Sequence, residues 1–216
     1  MTKEVKRTMI LTCIVCLIPI VVGLFLYPSL PETVVTHWNA AGEPDGWSSR
    51  AVAVFVLPGA ILLLNLLFPF LLKMDPKYNN ISDKIKCLVQ WSIPLIGLFC
   101  SGITLASALG VDMKIRLIAP MFMGVLFIIL GNFMPKMAQS YTVGIRLPWT
   151  LDDEDNWNRT HHFAGFLWVI CGLLMIAGAF LSCRVVIFSV LVGMMVLLPI
   201  LYSFILFVKK KKESSQ

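Results

Sequence analysis

The stretch VGIRLPWTLDDEDNWNRTHHFAG, residues 143–165, holds two histidines, His161 and His162, an acidic run Asp152, Asp153, Glu154 and Asp155, the basic residues Arg146 and Arg159, and Trp149 and Trp157. Histidines beside carboxylates are the raw material of metal binding and acid–base catalysis. Adjacent histidines on a helix, however, project about 100° apart and do not readily share one metal. The chain has no HExxH pair, no glycine-rich phosphate loop, no nucleophile elbow and no Cys/His cluster at zinc spacing. These absences argue against an enzyme and imply neither a cofactor nor a resident metal.

A second polar stretch, PSLPETVVTHWNAAGEPDGWSSR, occupies residues 28–50. His37, Trp38 and Asn39 side by side offer a ligand a donor, an aromatic face and an amide, although one histidine makes no metal site. The β-branched residues before them favour extended backbone, and Gly42 with the Pro-Asp-Gly run supplies turn chemistry. A short hairpin or hooked loop is expected, with Trp38 and Trp47 at the headgroup level where indole rings partition well.

Both stretches must be positioned by the rest of the chain, which is apolar. Of its 216 residues 58% are hydrophobic and 14% charged, with mean hydropathy +0.83, which places the chain among integral membrane proteins. Apolar runs cover residues 9–27, 51–72, 88–109, 115–134, 163–181 and 185–208, each close to the roughly 20 residues a helix needs to cross the hydrocarbon. The first is long enough to span, and the YPSLP after it is not a cleavage site, so it is expected to be retained as a helix. Six spans put 14 of the 18 basic residues on the side of the two termini, leaving Arg50, Lys114, Arg116 and Arg184 on the other. The positive-inside rule then assigns both termini to the cytoplasm. The expected fold is an all-α polytopic membrane helix bundle, six transmembrane helices in two halves, residues 1–110 and 111–216.

On that topology the net charge of +6 reports orientation rather than direct nucleic-acid binding, and the KKKK run near the end attracts anionic lipid. The final residues, 209–216, are expected to be unstructured. The six cysteines lie in or beside spans, and CIVC in the first span is taken as small apolar packing residues. Asn65, Gln90 and Asn132 are the notable polar residues within spans, with no ionisable group at depth. That counts against a proton-coupled pump while leaving a facilitator open.

Within the cytoplasmic loop, residues 135–162, Pro148 holds Leu147 away from helical angles. Thr150 is expected to cap the fifth helix, with the acidic run at the positive end of its dipole. Trp157, His161 and Ala164 then share one face, and Asn158, His162 and Gly165 the adjacent one. Arg146 is expected to reach back to the acidic turn or to a lipid phosphate.

The segment GNFMPKMAQSYTVGIRLPWTLDDEDNWNRTHHFAG, residues 131–165, resembles the signature of the SdpI family of bacterial immunity proteins, a vGiRtPWTL…vWnkTHr…G pattern. Gly144, Arg146, Pro148, Trp149, Thr150, Leu151, Trp157, Thr160 and His161 match in order and spacing, and His162 stands where a basic residue is expected. PETVVTHWNAAGEPDGW is similar to the P..i.tHwn..G.pdg pattern of the small domain that often forms the amino-terminal half of these proteins. The resemblance implies protection of a Gram-positive cell, at its cell membrane, against a secreted killing peptide. It also implies that such a protein can act as a receptor holding a cytoplasmic winged-helix repressor at the membrane. The residues this assigns to ligand or partner binding are His37, Trp38, Asn39, Gly42, Gly144, Arg146, Pro148, Trp149, Thr150, Trp157, Asn158, Thr160 and His161. The implied partners are a peptide toxin, a repressor and membrane lipids. A small-molecule or lipid transporter or flippase is the competing reading.

Overall fold

The computed structural model describes residues 1–213. Among them, six helices are long and apolar enough to cross a membrane. They are α1 (Lys3–Leu26), α2 (Leu57–Lys73), α3 (Asp83–Ala108), α4 (Ile115–Phe133), α6 (Glu154–Gly178) and α7 (Arg184–Glu213), with a short α5 (Pro148–Asp152) before α6. A π-helical turn, Val52–Val56, extends α2 toward its amino end to a span of 22 residues. Phe25, Phe70, Phe166 and Leu197 point outward and exposed, a surface that a lipid bilayer solvates and water would not.

The chain forms two compact units. The first joins Met1–Met74 to Asp83–Ile115 and contains α1, α2, α3 and an antiparallel hairpin of β1 (Thr33–Trp38) and β2 (Pro44–Ser49). The bundle is therefore all-α in its spans but carries the hairpin expected for residues 28–50. Leu30, Val54 and Leu105 form an apolar cluster near the base of the hairpin. Strand pairing places His37 opposite Gly46, with irregular register around Thr36 and His37.

The second unit joins Asp75–Ser82 to the chain from Arg116 onward and contains α4 to α7. Cys171, Met175, Leu191 and Met195 form its buried cluster. Gly131 and Gly165 let α4 and α6 approach closely, since a Cβ on Gly165 would lie 2.6 Å from the Gly131 carbonyl oxygen. All six cysteines are free.

Prolines inside the spans each delete the N–H that would bond the carbonyl four residues earlier. Two of these carbonyls receive side-chain donors from neighbouring helices. Pro69 frees the Asn65 carbonyl, which accepts from Gln90 Nε2 at 2.8 Å, while the Asn65 amide donates to Thr12 Oγ1 at 3.1 Å. Pro199 frees the Met195 carbonyl, which accepts from Trp168 Nε1 at 3.1 Å. Kinked backbone is tolerated in lipid because packed neighbours satisfy the orphaned groups. Asn65 and Gln90 are thus buried structural partners, whereas Asn132 is exposed near the end of α4.

Two expectations are corrected. Thr150 does not cap the fifth span: it lies inside α5, and Asp153 is the cap of α6, its carboxylate accepting from Asp155 N–H at 3.1 Å. Pro148 accounts for the break, because it pre-sets a first turn of its own and Leu147 before it is extended, with φ −113° and ψ 152°. Residues 209–213 are not unstructured, since α7 continues through the lysines to Glu213. The rest of that expectation, residues 214–216, lies outside the described residues.

Candidate functional site

The signature residues converge around Trp157 and His161, one turn apart on the buried face of α6. Trp157 is fully buried and His161 is 1% exposed, and their rings stack with centroids 4.0 Å apart. Trp157 Nε1–H donates to the Met137 carbonyl at 2.8 Å. His161 is bonded through both nitrogens, Nδ1 to the Trp157 carbonyl at 2.8 Å and Nε2 to the Ile145 N–H at 2.9 Å. A carbonyl only accepts and an N–H only donates, so His161 is held as the neutral tautomer protonated on Nδ1. Neither nitrogen is free to ligate a metal without breaking one of these bonds.

Gly144 makes this contact possible. Its φ is +112°, which residues bearing a Cβ rarely adopt, and a Cβ there would lie 2.6 Å from His161 Nε2 and 2.7 Å from Trp157 Cη2. The chain thus lies flat on the two rings and delivers the Ile145 N–H to His161.

Pro148 opens α5, whose Thr150 is fully buried. Its hydroxyl donates toward the Ile145 and Leu147 carbonyls and accepts from the Leu147 N–H. Trp149 Nε1–H donates to Ser203 Oγ on α7 at 3.0 Å, and its ring packs on Phe204 and Phe207. Asn156 Nδ2 donates to the Ser203 carbonyl at 2.9 Å, and Thr160 Oγ1 donates to Asn156 Oδ1 at 3.0 Å. One residue of α7, Ser203, therefore ties α5, α6 and α7 together.

The structure separates other expected members. Asn158 and His162 are exposed on the adjacent face of α6; Asn156, not Asn158, joins the cluster. Arg146 does not reach the acidic turn: its guanidinium is exposed and donates to the Tyr141 carbonyl at 2.8 Å. Lys210 takes that role instead, 2.9 Å from Asp153. Burial pushes the Asp153 carboxyl upward, but the Lys210 hydrogen bond and charge, with backbone N–H groups, outweigh it and hold the carboxyl below its usual range.

In the hairpin, Asn39 and Gly42 build the turn. Asn39 Oδ1 accepts from the Ala41 and Glu43 N–H groups at 2.9 and 3.0 Å, and Gly42 adopts φ +74°. His37 is exposed and pairs with Asp45 at 2.6 Å across the strands, and Trp38 is half-buried.

Sequence reasoning missed Asn156, Ser203, Met137, Gln139, Ser140 and Asp75. Asn156 was within reach, since it lies four residues before Thr160 and so on the same face. The others join residues far apart in the chain. Gln139 Nε2 caps the end of α5 by donating to the Thr150 and Leu151 carbonyls at 2.8 and 2.7 Å. Asp75 accepts from the Ser140 hydroxyl at 2.6 Å and the Thr142 N–H at 2.8 Å. Burial alone raises the Asp75 carboxyl, but these donors and the Lys77 N–H bring it below its ordinary value. Among the described residues, no group of three or more His, Cys, Asp or Glu side chains could hold a metal ion.

The chemistry of the site is that of a rigid polar scaffold under an exposed rim of Arg146 and Pro148. Residues 136–203 match the SdpI/YfhL protein family, and residues 14–62 match a domain of unknown function, DUF1648. The first match contains the Trp157–His161 cluster and the second the hairpin. The chain is 30% identical over 196 residues to Immunity protein SdpI of Bacillus subtilis, covering 90% of this chain and 92% of that protein. It is 41% identical over 64 residues to an uncharacterized protein of Archaeoglobus fulgidus, covering 27% of this chain and 35% of that one. No solved structure matches significantly. With similarity running nearly end to end, and with six helices able to span, the chain is a multi-pass cell-membrane protein belonging to the SdpI/YfhL family.

Proposed function

We propose that this protein is an immunity protein, protecting the membrane of a Gram-positive bacterium from a secreted killing peptide of the SDP type. The observation that carries this reading is the similarity over 90% of the chain to a protein named for immunity. The positive-inside distribution of 14 of 18 basic residues supports an outward hairpin and a cytoplasmic signature loop. The exposed His37 and half-buried Trp38 then meet the peptide at the outer leaflet, on a turn shaped by Asn39 and Gly42.

A cytoplasmic partner, a winged-helix repressor, is captured by the exposed rim of the signature loop, with Arg146 and Pro148 displayed and Trp149, Thr150, Trp157, Thr160 and His161 holding the rim in place. Coupling the two faces requires two states of the protein that differ in affinity for the peptide.

The test is expression in a toxin-sensitive Gram-positive host without immunity genes, following membrane potential and survival while an SDP-type peptide is added. Maintained potential is the expected outcome. Depolarisation equal to that of controls, with insertion verified, overturns the reading. Arg146→Ala and Trp149→Ala variants, shown to be inserted and abundant, are expected to protect less than the parent.

A further inference from the structure

Asp75 lies outside both polar stretches, on the connection between α2 and α3, yet it is 6% exposed and both its oxygens are engaged. Oδ1 accepts from the Lys77 N–H at 2.8 Å, and Oδ2 accepts from the Ser140 hydroxyl at 2.6 Å and the Thr142 N–H at 2.8 Å. Ser140 Oγ in turn accepts from the Thr142 and Val143 N–H groups at 3.0 and 3.1 Å. The next residues, Gly144 and Ile145, are those seated on Trp157 and His161.

A second tie runs beside the first. Lys77 Nζ donates to Gln139 Oε1 and stands 5.6 Å from the centre of the Tyr141 ring, and Gln139 holds the last carbonyls of α5. The connection is thus a strap on the signature loop, and its carboxylate organises the start of that loop. Three donors converge on Asp75, and bonds to an ionised acceptor are stronger than neutral ones. An amide in its place turns an NH2 group toward at least one N–H donor.

We propose that Asp75 is a positioning residue for the signature loop: its carboxylate orders Ser140–Val143, which seats Gly144 and Ile145 on the Trp157–His161 pair and fixes the rim carrying Arg146. The purpose of that rim rests on the immunity reading, whereas the ordering of the loop does not.

The test compares Asp75→Asn, Ser140→Ala and the double variant in the full-length protein. Hydrogen exchange is read in lipid nanodiscs, and survival under an SDP-type peptide is read in cells. Asp75→Asn is expected to accelerate exchange at residues 140–145 by about tenfold to a hundredfold, the loss expected for hydrogen bonds to a charged group. Exchange in α6 and α7 stays parental and protection falls. Ser140→Ala gives a smaller local acceleration, and the double variant goes no further than Asp75→Asn alone.

Parental exchange at 140–145 in Asp75→Asn overturns the proposal, as does acceleration spread evenly through α6, which marks a general structural role. A loosened loop with full protection overturns its functional half. If Asp75→Asn does not accumulate, Ser140→Ala decides by the same criterion. If the parent itself fails to protect, the immunity reading fails, while the exchange data still judge Asp75.

Discussion

Replacing Gly144 with alanine tests the packing on which the site depends. The residue sits at φ +112°, and holding a side chain in a sparsely populated backbone region costs about 1–3 kcal/mol. The added Cβ would also lie 2.6 Å from His161 Nε2 and 2.7 Å from Trp157 Cη2. Both rings are buried and hydrogen-bonded, so the chain must lift and lose the Ile145–His161 bond, about 0.5–1.5 kcal/mol more. The two terms together come to about 1.5–4.5 kcal/mol, or roughly 3–18 °C in Tm for a chain of this size. Thermal unfolding in detergent, followed by near-ultraviolet circular dichroism, reads the shift. Gly59→Ala is the internal control, since nothing lies within 4 Å of a Cβ there and alanine is the better helix former. A Gly144→Ala protein that melts with the parent refutes the account of how the loop is seated.

Gln90→Leu leaves the Pro69-freed carbonyl of Asn65 without its donor and is expected to lower stability by about 1–3 kcal/mol. Adding Pro69→Ala restores a backbone N–H and recovers part of the loss in the same melts; additive losses would contradict this. His161→Phe keeps a ring over Trp157 but strands the Ile145 N–H, and is expected to lower Tm by several degrees, the cost of an unsatisfied buried donor, while a chelator added to the parent changes nothing. Asp75 and Asp153 both lie below the ordinary carboxylate value of 3.8, so the folded state binds fewer protons than the unfolded. Their stabilisation is complete above 3.8 and is lost as pH falls through the lower folded values. Acid titration of Tm is expected to show a steeper fall in the parent than in Asp75→Asn. Lys210→Ala, removing the solvent-exposed partner of the half-buried Asp153, is expected to lower Tm at neutral pH by less than Asp75→Asn does, because water and salt screen the lysine's charge.

Much of the architecture is legible because lipid leaves few alternatives. A run of apolar residues long enough to cross must be helical, since backbone groups in hydrocarbon find partners only within the segment. That is why six runs became six spanning helices. The hairpin was legible from its β-branched residues and from Gly42, but the Pro-Asp-Gly run expected to supply turn chemistry lies in β2 instead, and the turn is built by Asn39 with Gly42. The ends of the helices were less legible. Thr150 and Asp153 are both plausible caps by type, and the choice depended on Pro148 starting a separate turn. Residues 209–213 are polar and lysine-rich, yet they continue α7, where Lys210 meets Asp153 at the start of α6.

The sequence by itself determined membrane class, span number and the order and spacing of the signature, because hydropathy and motif spacing are properties of contiguous residues. Only the tertiary structure decided what those residues do for one another. It set Gly144 against two rings from the following helix, chose Asn156 over Asn158, sent the Arg146 guanidinium to a local carbonyl and brought Asp75 to Ser140 from sixty-five positions away. A hydrogen bond depends on where two groups meet in space, and for groups this far apart in the chain that meeting is set by the packing of whole helices.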